Sequence, residues 1–223
     1  MRVVWNTQEL CWAQSPMSSK HLYLIRHAES INNVDKREAR RAFHRLTTFQ
    51  EWPSSSQWSS FWNLSKLDMD SELSPTGWEM VHKQRENLGE TFLADHCVTL
   101  ILHSHLVRAK HTCQVLFHDC GIPMVETKLL HEKSIWEHTL GFMSTRVERF
   151  LVECILSSEH EHIVLVGHSG FFRELVSRDP NWTGGSRKLK NCEVFHCLVH
   201  ANGSIEAKGT LIEGGLSVFE ASL

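Results

Sequence analysis

Four side chains of matched chemistry stand just beyond short apolar runs. Arg26 and His27 follow Leu22-Tyr23-Leu24-Ile25, Arg108 comes shortly after Val98-Thr99-Leu100-Ile101-Leu102, and His168 follows Ile163-Val164-Leu165-Val166. Imidazoles trade protons near neutral pH, and guanidiniums offer forked donors that match the oxygens of an anion such as phosphate. Open α/β sheets bind ligands at the carboxyl ends of their strands, so three separate runs would bring all four groups to one edge. Ordinary hydrogen bonding explains most single histidines at strand ends. The convergence of four groups points to chemistry on an anion. With sixteen histidines against one tyrosine, position and not composition picks out the working ones.

The positioning elements can be read from periodicity. Continuous apolar runs of four or five residues suit strands covered on both faces, so the three runs above and residues 194–199 are read as strands. Ser74 before Pro75 reads as a helix cap and first helical position, with the helix running on through Leu93. Leu106, Ala109, Cys113 and Leu116, spaced by 3, 4 and 3, mark a helix over 106–117. Residues 146–156 and 170–176 read as two more. The alternation implies a three-layer α/β/α fold with a mainly parallel central sheet and right-handed crossovers. Residues 21–223 are read as a single domain, after an N-terminal extension, 1–20, that has no assigned role. Trp52, Trp58, Phe61 and Trp62 break the pattern and read as an aromatic-rich insertion near 43–70. It is either a private mini-core or a lid over the site.

Composition narrows the classes. The 223 residues are 41% hydrophobic and 22% charged, which excludes a mainly disordered chain. A net charge of −3 gives no global field for nucleic acid. No apolar run reaches the ~18 residues of a membrane span, and the N-terminus lacks the pattern of a secretory signal. Seven cysteines, odd in number and without a CxxC pair, argue against a zinc site and for reduced thiols in a cytoplasmic or other reducing compartment.

Five segments, in order, resemble the histidine phosphatase superfamily, in particular its phosphoglycerate mutase-like branch. Leu24-Ile25-Arg26-His27-Ala28-Glu29-Ser30 with Asn33 resembles the RHGES-x-x-N signature. Leu73-Ser74-Pro75-Thr76-Gly77 is similar to L-[ST]-x-x-G, and Ser104-His105-Leu106-Val107-Arg108-Ala109 to S-P-L-x-R-A. Leu130-His131-Glu132 with Trp136-Glu137 resembles L-R-E-x-x-x-G-x-W-E, and Val166-Gly167-His168-Ser169-Gly170 resembles V-x-H-G-G.

The resemblance implies a metal-independent phosphomonoesterase that acts on a small phosphorylated metabolite, with no cofactor. His27 would be the nucleophile that forms a phosphohistidine, with Arg26, Arg108 and His168 holding the phosphoryl oxygens. Glu132 would be the general acid, with Glu137 as its rival. Asn33, Ser104 and Ser169 match positions at the phosphate, and Asn33 and Ser104 read equally well as turn or cap residues. Ser169 also departs from the family's usual glycine, and His103 and His105 stand where Ser and Pro are usual. The basic run of Lys36, Arg37, Arg40 and Arg41 is either a solvated helix face or a seat for a second anionic group. A mutase, or a non-catalytic phosphate-binding member, is the alternative. The expected partner is the small phosphorylated substrate, with no nucleic acid or membrane. A homodimer stays open.

Overall fold

The computed structural model describes residues 19–47, 54–55, 70–132, 137, 142–185 and 187–215. Six strands form one sheet: β1 (Lys20–Arg26), β2 (Leu100–Ser104), β3 (Met124–Thr127), β4 (His162–Gly167), β5 (Val194–Val199) and β6 (Ile205–Ile212). Their order is β3-β2-β4-β1-β5-β6. The first four in that order run parallel, β5 pairs antiparallel with β1, and β6 pairs antiparallel with β5 at the edge. β1 and β4 are the central pair and are apolar on both faces, which is why their sequences show no alternation. One core, with Leu22, Leu24, Leu165, Phe171 and Phe172, fills one face of the sheet. A second, with Tyr23, Ile25, Val81, Val164 and Val166, fills the other. This is the expected three-layer arrangement.

Helices supply the layers: α1 (Ile31–Thr47), α2 (Pro75–Leu88), α3 (Phe92–Asp95), α4 (Val107–Phe117), α5 (Met143–Phe150) and α6 (Ser169–Val176). A π-helical turn, Leu151–Leu156, continues α5. Ser74 caps α2 as expected, its Oγ accepting from Gly77 N at 3.0 Å, with Pro75 in the first turn. The helix ends at Leu88 and not at Leu93, because Gly89 takes a left-handed φ of +67° and the chain restarts as α3. The second expected strand is shifted: it opens at Leu100 and runs to Ser104, so His103 belongs to the strand. Likewise the helix expected from 146 opens at Met143. Lys20 lies inside β1, which moves the start of the domain back by at least one residue. Residues 1–18 and most of the aromatic insertion, Trp52, Trp58, Phe61 and Trp62 included, lie outside the described residues. No helix among the described residues is long and apolar enough to cross a membrane. The six cysteines among them are all free, and burial pushes Cys113, Cys192 and Cys197 up to about 12.

Candidate active site

β1 delivers His27 into a backbone clamp. His27 N donates to Gly167 O at 2.9 Å, extending the β1–β4 ladder by one residue. On the other side its carbonyl accepts from Asn191 Nδ2 at 2.8 Å. The ring is 2% exposed. Its Nδ1 donates to Ala28 O at 2.6 Å, so the lone pair sits on Nε2. Arg108 Nε donates to that Nε2 at 3.3 Å, and a guanidinium can only donate, which agrees with the same tautomer. Burial, then the charges of Arg108 and Arg26, hold the His27 pKa well below its ordinary value. Its imidazole is neutral at physiological pH.

β4 delivers the second histidine. His168 caps α6 from an extended backbone and is fully buried. Its ring lies 5.0 Å from that of His27, tilted by 58°. Nε2 pairs with Ser104 Oγ at 2.9 Å, while Nδ1 faces Glu132 Oε2 at 3.7 Å, beyond hydrogen-bond reach. Nδ1 is a buried atom without a hydrogen-bond partner. Burial and the neighbouring His27, Arg108, His131 and Arg26 push the His168 pKa well down.

Both arginines are costly to bury, and burial is the first cause lowering their pKa values. The charge of Glu132 is the largest opposing influence on each. Arg26 Nη1 donates to Leu189 O at 2.7 Å, and its buried Nε has no hydrogen-bond partner. Such an orphaned donor marks a place where a ligand oxygen fits. The donor atoms of His27, Glu132 and His168 also lie within 4.8 Å of one another, as a metal site would require. A tetrahedral zinc wants its donors about 3.4 Å apart. Two guanidiniums beside the cluster repel a dication and attract a dianion.

The other expected residues divide. Glu137 is held in a two-pronged ion pair by Arg146, at 2.7 and 2.9 Å, whereas Glu132 faces His168. Ser104 is fully buried beside His168, and Ser169 is buried at the start of α6. Asn33 works as a cap, its Oδ1 accepting from Ser30 Oγ at 2.6 Å and from Ser30 N at 3.3 Å. In the basic run, Arg37 pairs with the buried Glu29 and Arg41 with Glu38 at 2.7 Å, while the charge of Lys36 is felt at His27. Glu29 also accepts from Ser74 Oγ at 3.0 Å, so the acidic residue of the first motif joins α1 and α2. Gly77 makes that junction possible, since a Cβ there would stand 1.9 Å from Glu29 O.

Sequence reasoning missed several braces. Thr112 Oγ1 accepts from Ala28 N at 3.0 Å and donates to Arg108 O at 2.7 Å, joining the loop after β1 to α4. Its place four residues after Arg108, on the same helix face, was the available signal. Asp70 Oδ1 accepts from Val107 N at 2.7 Å and caps α4 from a distance, which no local pattern announces.

Fold and site define a class of α/β protein that gathers two histidines and two arginines at the carboxyl edge of its sheet. The family model described as histidine phosphatase superfamily (branch 1) matches residues 59–142. That span takes in the segments around Ser74, Arg108 and Glu132. Over that span, less than half of the chain, the sequence is similar to the histidine phosphatase superfamily. No curated protein matches the sequence. Among solved structures, the α-ribazole phosphatase of Shigella flexneri is similar, with 19% identity, 88% of this chain and 99% of that one covered, and a TM-score of 0.56. A phosphoglycerate mutase of Bacillus anthracis has 13% identity, coverages of 87% and 93%, and a TM-score of 0.58. A phosphoserine phosphatase of Entamoeba histolytica has 13% identity, coverages of 89% and 98%, and a TM-score of 0.53.

Proposed function

We propose that this protein is a metal-independent phosphomonoesterase that hydrolyses a small phosphorylated metabolite through a phosphohistidine on His27. In the first step the Nε2 lone pair attacks phosphorus and the bond to the ester oxygen breaks. Glu132, in its carboxyl form, gives its proton to the departing alkoxide. Arg26 and Arg108 hold the equatorial oxygens, with His168 as a further donor once the dianion has reversed the local field. In the second step the Glu132 carboxylate takes a proton from water, whose oxygen attacks phosphorus. The N–P bond then breaks and its electron pair returns to Nε2. Protons and charge balance over the two steps without a metal.

The observation that carries this reading is the tautomer of His27. Its Nδ1–H is committed to Ala28 O, and its basic Nε2 lies 3.3 Å from the Arg108 guanidinium. A neutral nucleophile set among cations is what an anionic electrophile requires. The free, buried thiols fit a reducing compartment such as the cytoplasm.

The test is hydrolysis of an aryl phosphate in excess chelator, parent against His27→Ala. The reading expects chelator to have no effect and the substitution to cost about a thousandfold or more in kcat. An inert parent across a broad panel of phosphomonoesters would favour a binding protein. Strict dependence on a bisphosphate primer would favour a mutase.

A further inference from the structure

Arg146, on α5, is the most completely engaged cation among the described residues. Its Nη1 donates to the carbonyls of Leu129 and His131, both at 2.7 Å. Nε and Nη2 reach the two oxygens of Glu137, and Nη2 also lies 2.9 Å from Met143 Sδ. All five N–H groups of the guanidinium thus have an acceptor. The side chain is 14% exposed, and its head stands 5.4 Å over the Phe171 ring. No part of the proposed reaction uses this group.

What it grips is the segment that carries the proposed acid. Lys128–Leu130 is a single 3-10 turn, with fully buried Leu130 as its plug. The end of such a turn leaves carbonyls without partners in the chain. Arg146 takes up the two on either side of Leu130. The second is the carbonyl of the His131–Glu132 peptide bond, so its plane, and the direction in which Glu132 departs, are set by the guanidinium. Glu137 neutralises the charge of Arg146, which leaves geometry and not field as the route of action.

We infer that Arg146 is a positioning residue for proton transfer, aiming the Glu132 carboxyl at the leaving-group side of the phosphate. The inference rests on the proposed role of Glu132. It predicts a specific kinetic signature. A positioned acid matters for a basic alkoxide leaving group and hardly at all for an acidic phenol. The ratio kcat/KM reports the cleavage of the ester bond whichever later step limits turnover.

The experiment measures kcat/KM for an alkyl phosphate, phenyl phosphate and 2,4-dinitrophenyl phosphate. It compares the parent with Arg146→Met, Arg146→Lys, Glu132→Gln and Glu137→Gln, with the folding of each checked by thermal melting. The expectation is that Arg146→Met loses about tenfold or more on the alkyl ester and less than about twofold on the dinitrophenyl ester. Glu132→Gln should show the same steepening. Arg146→Lys, which keeps a charge but not the fork, should fall between Arg146→Met and the parent. Glu137→Gln leaves the carbonyl grip in place and should keep the parent's profile. A loss equal across all leaving groups in both Arg146 variants would overturn the proposal alone, provided Glu132→Gln is steep. A flat profile for Glu132→Gln would overturn the acid assignment and the positioning role together. A steep profile for Glu137→Gln would transfer the acid role to that residue and overturn both as well.

Discussion

Acidifying the solution from pH 7.5 to pH 5 presses protons onto a stack of imidazoles at the amino edge of the sheet. His162, His21 and His196 lie on neighbouring strands, with ring centroids 4.3 Å apart for the first pair and 5.2 Å for the second. His21 Nδ1 and His196 Nε2 are 3.2 Å apart, and the Tyr23 ring stacks against His196 with centroids 5.1 Å apart. Burial, then His21, His96, Lys208 and His162, lower His196 from 6.5 to about 4. Burial and His162 lower His21 as well, against the opposing pull of Glu161. A histidine whose folded pKa is depressed gives full stability above its unfolded pKa. The stability it confers is then lost progressively as pH falls from 6.5 toward 4. At pH 5 the shift of His196 is bounded by about 2 kcal/mol, and screening of this partly exposed ring lowers that to about 1 kcal/mol. For a chain of this size that is a fall of about 2–4 °C in Tm. Urea unfolding at pH 7.5, 6 and 5 reads it directly, with His196→Phe keeping the aromatic stack but removing the proton site. The parent should lose about 1 kcal/mol more than the variant over that range. Equal losses in the two proteins would refute the reasoning.

Three further outcomes follow from the same geometry. Because burial, then Arg108 and Arg26, hold His27 down, kcat/KM of the parent should show no acid limb near pH 6.5, and in Arg108→Met a limb should move part of the way up toward that value; a pH–rate profile of each checks it. Gly77→Ala would force a Cβ against Glu29 O and should cost about 3 kcal/mol, measured as a fall in the urea midpoint. Ser74→Ala removes both the cap of α2 and a contact to Glu29, and should cost about 1–2 kcal/mol in the same assay.

The central strands were legible because burial on both faces leaves an unbroken apolar run, as in β1 and β4. β3 escaped notice because it is a four-residue edge strand in which Met124, Val125 and Glu126 are exposed. β6 lies at the other edge and mixes Glu206, Lys208 and Gly209 into its ladder, so it reads as a polar stretch. The four cationic and imidazole groups were legible for a different reason: each directly follows or lies near the end of such a run. The different surroundings of Glu132 and Glu137 were not, because the partner of Glu137 is Arg146, nine residues beyond it and on another element. Asn33 shows the converse. Its place in a motif suggested contact with phosphate, while the local backbone uses its Oδ1 to close the start of α1. Arg37 was open to a role in substrate binding until its pairing with the buried Glu29 became visible.

The central claim is that phosphorus becomes bonded to Nε2 of His27, and trapping the phosphoenzyme tests it most directly. The protein is mixed with a 32P-labelled phosphomonoester, quenched in alkali, digested and mapped, and the phosphohistidine isomer is assigned by NMR. The account predicts an acid-labile, alkali-stable label on the peptide that holds His27, carried on Nε2 because Ala28 O occupies Nδ1–H, and absent from His27→Ala. A label on Nδ1, a label on another residue, or turnover without any trapped phosphoenzyme would contradict it.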